Sequence, residues 1–177
     1  GVLAKAAAAE DLTRQRRWSE AMGTLIDLLE TAPPGLLRDE WQARARELRW
    51  VLGLVDALRA GAAAGDAPSP HLSLGKAKVK AADGEGVELE IGTESRRIAW
   101  PDVPAEDLLP LLSPSRPTPE QRLGLAVLAA ESSRKEDFVR LVLPLVEASD
   151  AEALRLVARY LFGKAEAPPE GYRVHQG

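Results

Sequence analysis

The side chains that could do chemistry in this chain are few and scattered. His71 and His175 are its two imidazoles, the usual general bases at neutral pH. One falls in a connecting segment and the other near the C-terminal end, so both read as solvated loop residues. No acid stands near either at a metal-ligand spacing, and the chain has no cysteine, which removes thiolate nucleophiles, zinc-thiolate centres and disulfides together. Carboxylates pair as Glu88 with Glu90 and Asp39 with Glu40. Such pairs serve acid–base catalysis when burial splits their pKa values. Here the first pair faces lysines, and the second sits in a first helical turn, where negative charge complements the helix dipole. Gly84-Glu85-Gly86 lies in a hairpin, and Gly75-Lys76 lacks the upstream glycine and following hydroxyl of a phosphate loop. Ser113, Ser132 and Ser133 have no neighbouring base and read as turn and cap residues. The sequence therefore nominates no catalytic, cofactor or metal residue, and we expect no enzyme.

Composition sets the frame for the elements that would have to carry a function. The chain has 177 residues, 28% of them charged and 45% hydrophobic, enough to bury a real core. No segment approaches the roughly 18 uninterrupted apolar residues a membrane span needs, so a soluble protein without membrane insertion is expected. The net charge is -4, with basic and acidic residues nearly matched in each part of the chain. Nucleic-acid binding normally shows as a concentrated positive surface, and none stands out. Localisation stays open. The opening Gly1-Val2-Leu3, with Met22 the one methionine, suggests a piece of a longer protein.

Three helices are expected in the first region, 1–61. The first spans about 3–16, and the second, 19–31, buries Ala21, Leu25, Leu28 and Leu29 before Pro33, Pro34 and Gly35 stop it. The third, about 38–59, is apolar on two faces. Trp41, Ala45, Leu48, Leu52 and Val55 form one stripe at 100° per residue, whereas Trp50, Leu54 and Ala43 project the opposite way. A helix greasy on both sides needs two partners. Trp50 and Leu54 are thus the candidate partner-contact residues, to be covered by the remainder of the chain or by another molecule. Residues 62–70, rich in alanine, glycine and proline, read as a linker.

The run Trp18-Ser19-Glu20-Ala21 followed by Leu25, Leu28 and Pro33 is similar to the second helix of a tetratricopeptide repeat. The resemblance covers about residues 16–33. Arg16 stands where that family usually has a small residue, and the pattern does not recur one period later at Leu52, Val55 and Ala67. It implies a helix-pair scaffold that binds peptide segments or partner proteins in a groove.

From His71 to Trp100 the hydrophobic period changes to two. Lys76, Lys78 and Lys80 alternate with Ala77, Val79 and Ala81, and Glu88 and Glu90 with Val87, Leu89 and Ile91, around a three-residue turn Asp83-Gly84-Glu85. The expected register sets Lys80 opposite Glu88 and Lys78 opposite Glu90. A third strand, 95–100, places Ile98 and Trp100 on the buried face. Three such strands need a cover, and the Trp50–Leu54 face is a candidate for it. This meander and a short helix, 104–112, make up a region 71–112.

The C-terminal region, 118–163, should hold helices at about 119–131, 134–147 and 150–162, with Pro144 bending the middle one and Gly163 closing the last. Capping boxes mark their starts: Thr118 with Gln121, Ser133 with Glu136, Ser149 with Glu152. Residues 164–177 read as a polar tail.

The expectation is therefore an α+β, mostly helical fold in which helical hairpins flank a small three-stranded antiparallel meander. The reading that follows is a non-enzymatic protein–protein interaction or scaffold domain, whose partner is another protein or its own parent chain. A second copy of the chain would also serve. The alternatives are a nucleic-acid module using the lysine strand 76–80 with Arg96 and Arg97, or an accessory domain of an enzyme.

Overall fold

A computed structural model of the chain describes residues 1–162. Its helices are α1 (Val2–Arg14), α2 (Trp18–Thr31), α3 (Leu36–Ala64), α4 (Ala105–Leu112), α5 (Pro119–Glu131), α6 (Lys135–Glu147) and α7 (Ala151–Leu161). Between α3 and α4 run strands β1 (His71–Leu72), β2 (Gly75–Ala82), β3 (Gly86–Ile91) and β4 (Glu94–Ala99), then a 3-10 turn Trp100–Asp102. This is the expected α+β, mostly helical architecture, with one correction: the antiparallel sheet has four strands in the order β1-β2-β3-β4. The extra strand is two residues long, too short to leave an alternating pattern. Gly163 and the tail 164–177, with His175, lie outside the described residues.

The two-faced helix organises the molecule. α3 is 29 residues long and packs against α2, β2, α4 and α5. Trp41, Ala45, Leu48 and Val55 are buried on one side, and Trp50 and Leu54 on the other. Residues 62–64, expected in the linker, are its last turn, closed by Gly65 in the left-handed region at φ 78°. The cover over the second face is α5 rather than the sheet. α5 comes close because residue 124 is glycine: a Cβ there would sit 2.8 Å from the Trp50 carbonyl oxygen and 3.0 Å from Leu54 Cδ1. Gly124→Ala is therefore expected to push α3 and α5 apart at a cost of about 1–3 kcal/mol, read as a lowered urea midpoint with an unchanged slope.

Four helices end alike. After α1, α3, α5 and α6 a left-handed residue donates its N–H to the carbonyl three residues back, and the next residue donates to the carbonyl five back: Arg16 to Thr13 and Arg17 to Leu12, Gly65 to Ala62 and Asp66 to Gly61, Ser133 to Ala130 and Arg134 to Ala129, Ser149 to Val146 and Asp150 to Leu145. These are Schellman closures. In three of them the following residue is at once the N-cap of the next helix. This corrects two of the three capping boxes. Thr118 and Gln121 do form one, but Ser133 and Ser149 each lie one residue too early, spent on the left-handed position. Asp150 caps α7 instead, accepting from Ala153 N at 2.9 Å, whereas Arg134 offers α6 no side-chain cap. α6 runs through Pro144 to Glu147 as one assigned helix.

In the sheet, Lys78 faces Glu90 as expected, but Ala81, not Lys80, faces Glu88. A bulge between Val79 and Ala81 takes up Lys80 and shifts the remainder of the register by one. The Lys80 ammonium still reaches Glu90, at 3.6 Å. Val87 and Leu89 fill the core side, and β4 forms an edge on which Arg96 stands opposite Leu89 and Glu94 opposite Ile91. Two charges thus occupy the core-side positions of the outermost strand. The far end of the sheet is pinned to the first helical hairpin. The rings of Trp18 and Trp100, both fully buried, lie 5.6 Å apart between centroids, and Trp100 Nε1 donates to the Asp83 carbonyl at 2.8 Å. On the other side, buried Asp107 of α4 accepts from Ser73 N at 2.7 Å and Ser73 Oγ at 2.5 Å. One apolar cluster runs through all these contacts, from Ala9 to Leu156.

Candidate functional site

Each apolar side of α3 carries one buried charge. Arg44 lies about 20° from the phase of Val55, and Glu47 about 20° from that of Leu54. Both are buried. The Arg44 guanidinium donates from Nη1 to Glu47 Oε2 at 2.7 Å and to the Tyr160 hydroxyl at 3.0 Å, and from Nη2 to Glu131 Oε1 at 2.5 Å; its Nε stands 3.4 Å from Glu10. The Tyr160 hydroxyl in turn donates to Glu47 Oε2 at 2.9 Å, and Arg159 Nε lies 3.2 Å from Glu47 Oε1. Four helices, α1, α3, α5 and α7, meet in this network.

Its electrostatics follow from three carboxylates sharing two guanidinium groups. Burial works against the Arg44 charge, but Glu131, the Tyr160 phenol, Glu47 and Glu10 outweigh it and hold the proton more firmly than usual. Burial pushes the Tyr160 phenol up, and the Glu47 charge adds to it. Desolvation also raises the Glu131 carboxyl, with Glu47 and Glu10 repelling its charge and Arg44 pulling the other way. Its side chain keeps 23% exposure, so solvent softens the effect. Folded Glu131 then keeps its proton at pH values where the unfolded chain has lost it. From the ordinary glutamate range of about 4.3 upward, its contribution to stability falls as pH rises, until the folded group too has ionised. Glu131→Gln should flatten that part of the stability-versus-pH curve, measured by urea unfolding at intervals from pH 4 to 7. Asp137 has the opposite sign: hydrogen bonds from Arg134 and Arg140 hold it below its usual value, so its contribution is lost on acidification.

Beside the network is an open cavity of about 580 Å³ bounded by α1, α4, α5 and α7. Arg16, Arg44, Arg159 and Glu131 stand in its wall, with Leu108 and Leu128 supplying apolar surface. On the other side of α3, a groove of about 420 Å³ runs along α7 past Trp50, Glu47 and Arg159.

The structure does not bring the residues singled out in the sequence together. Trp50 retains 8% exposure at the edge of that groove and Leu54 1%, so these candidate partner contacts are chiefly internal packing. His71 is exposed in β1. Glu88 accepts from Ser95 Oγ at 3.0 Å, and Asp39 lies exposed in the first turn of α3. The five cations proposed as one basic face are divided. Lys76 and Lys78 alternate with the buried Ala77 and Val79, Lys80 is at the bulge, Arg97 is 2.7 Å from Asp83, and Arg96 points to the core side, 3.0 Å from Glu94. Among the described residues, no group of three or more His, Cys, Asp or Glu is placed to hold a metal, and no helix is long and apolar enough to cross a membrane. The Arg44 network was missed from sequence, although a charge beside each apolar stripe was its visible signal. No family model matches the chain, and neither a curated protein nor a solved structure matches it.

Proposed function

We propose that this chain is a non-enzymatic protein–protein interaction or scaffold domain, presenting its last helical hairpin to a protein partner or to the remainder of its parent chain. One observation carries the reading: on α6, Val139 and Leu143 lie one turn apart and exposed, and on α7 Leu154 and Leu161 lie two turns apart and exposed, followed by exposed Phe162. Exposed apolar side chains repeated along two neighbouring helices are the kind of surface that protein association covers. The rest of the molecule suits a rigid support, since α5 packs against both α3 and α6 and the Arg44 network joins α1, α3, α5 and α7. The Trp18 helix that resembles a tetratricopeptide repeat packs between α1 and α3, as a helix-pair scaffold requires. The test places a photo-reactive side chain at Leu143, at Leu154 and, as control, at Lys78, in cells that make the natural protein. Adducts with one defined protein from the first two positions and not from Lys78, abolished by Leu143→Glu with Leu154→Glu, are expected; a doubled-mass adduct would make that protein a second copy. Equal adducts from Lys78, or adducts that survive the double substitution, would overturn the reading.

A further inference from the structure

The cavity bounded by α1, α4, α5 and α7 has an imbalance that the fold does not use. Arg44, in its wall, is already paired with Glu10, Glu47 and Glu131 and donates to Tyr160. Arg16 is different. Its Nη1 donates to the main-chain carbonyls of Trp100, at 3.3 Å, and Val103, and among the described residues it makes no ion pair. Nε and Nη2 keep three N–H donors, on a guanidinium already fixed at one end and partly desolvated. Arg159, also in the wall, pairs with Glu47 through Nε at 3.2 Å, and its guanidinium carbon lies 5.8 Å from the centre of the Tyr160 ring. Of the two carboxylates in that wall, Glu10 and Glu131, the charge of Glu131 acts on Arg16, but its hydrogen bond at 2.5 Å comes from Arg44. A volume of about 580 Å³ lies within the range of small-molecule sites, and Leu108 and Leu128 give it an apolar lining. Three positioned Arg16 donors, with a second guanidinium in the wall and aliphatic surface beside them, select an acceptor with a short hydrocarbon body.

We infer that this cavity is a binding site for a small organic acid, its carboxylate held by the Arg16 and Arg159 guanidinium groups and its hydrocarbon part laid on Leu108 and Leu128. A carboxylate matches the planar fork of arginine, and a guanidinium held by Trp100 and Val103 loses little freedom when it binds. The acid is a ligand, not a substrate, and needs no chemistry from the site.

The test is a titration of the whole chain, followed by backbone amide NMR shifts, with sodium butyrate, glutarate and benzoate at constant ionic strength. Butyramide and n-butylamine serve as the neutral and cationic counterparts. Saturable shifts at Thr13, Arg16 and Ser133 are expected with at least one acid, with butyramide at least tenfold weaker and the amine inactive. Arg16→Gln and Arg159→Gln should each weaken binding at least tenfold while the fold, followed by circular dichroism, is retained. The absence of saturation with all three acids, equal binding of butyramide, tighter binding of n-butylamine, or wild-type binding by a folded Arg16→Gln would each overturn the inference. Should Arg16→Gln not fold, the acid-over-amide selectivity of the unaltered protein decides.

Discussion

Replacing Arg44 by methionine should cost about 3–5 kcal/mol of folding free energy, the range found when one partner of a buried ion pair is removed. Methionine fills much of the volume but takes away the donors that Glu47, Glu131 and Glu10 share, and Glu47 is left buried with Arg159 and Tyr160 as its remaining partners. Domains of this size are stable by about 5–15 kcal/mol in total, so the variant should unfold at markedly lower urea concentration. The decisive comparison is with Arg44→Met combined with Glu47→Leu. If the cost comes from a stranded carboxylate, the double variant should be more stable than Arg44→Met alone by about 1 kcal/mol or more, because coupled sites do not add. If instead the two losses add, the network acts through packing, and the electrostatic account fails.

Trp100→Ala should be as damaging, at about 3–5 kcal/mol, for a different reason. The indole is fully buried, stacks at a tilt on Trp18 and satisfies the Asp83 carbonyl. Its loss opens a void where the sheet meets the first helical hairpin and leaves a carbonyl without its donor. Trp100→Phe separates the contributions: a ring still meets Trp18, but Asp83 loses its hydrogen bond, and the expected cost falls to about 1–3 kcal/mol. Both values come from urea unfolding followed by far-ultraviolet circular dichroism. A loss below 1 kcal/mol for Trp100→Ala would mean that the indole does not join the two parts.

These two sites differ in how far the residue pattern announced them. Trp100 stood in phase with Ile98 on an alternating strand, and its burial followed directly, although the residue begins a 3-10 turn. The two faces of α3 were equally plain, since helical phase depends only on the chain's own periodicity. What covers the second face was not, because the choice between α5 and the sheet rests on a long-range approach that a single glycine, Gly124, permits. Lys78 met Glu90 as expected, but Lys80 missed Glu88 for a similar reason: a bulge adds one residue at a point that alternation alone does not mark. Ser133 and Ser149 were misplaced because serine suits both a cap and a tight turn, and the turn won when the helices met without a spacer. Arg44 and Glu47 drew no reading from the sequence, when their place beside the apolar stripes was the clue. The acid-binding cavity lies beyond such reasoning altogether. It depends on Arg16 and Arg159, 143 positions apart by their numbering, lining one cavity.

The outermost strand of the sheet bears on how these molecules behave when crowded together. A neighbour that tried to lengthen the ladder past β4 would have to lay its own backbone beside Arg96 and Glu94 and strip both of water, while a second copy related by a two-fold axis, with 96 opposite 97, would set arginine against arginine. Ribbon-wise stacking past β4 is thus penalised at the start.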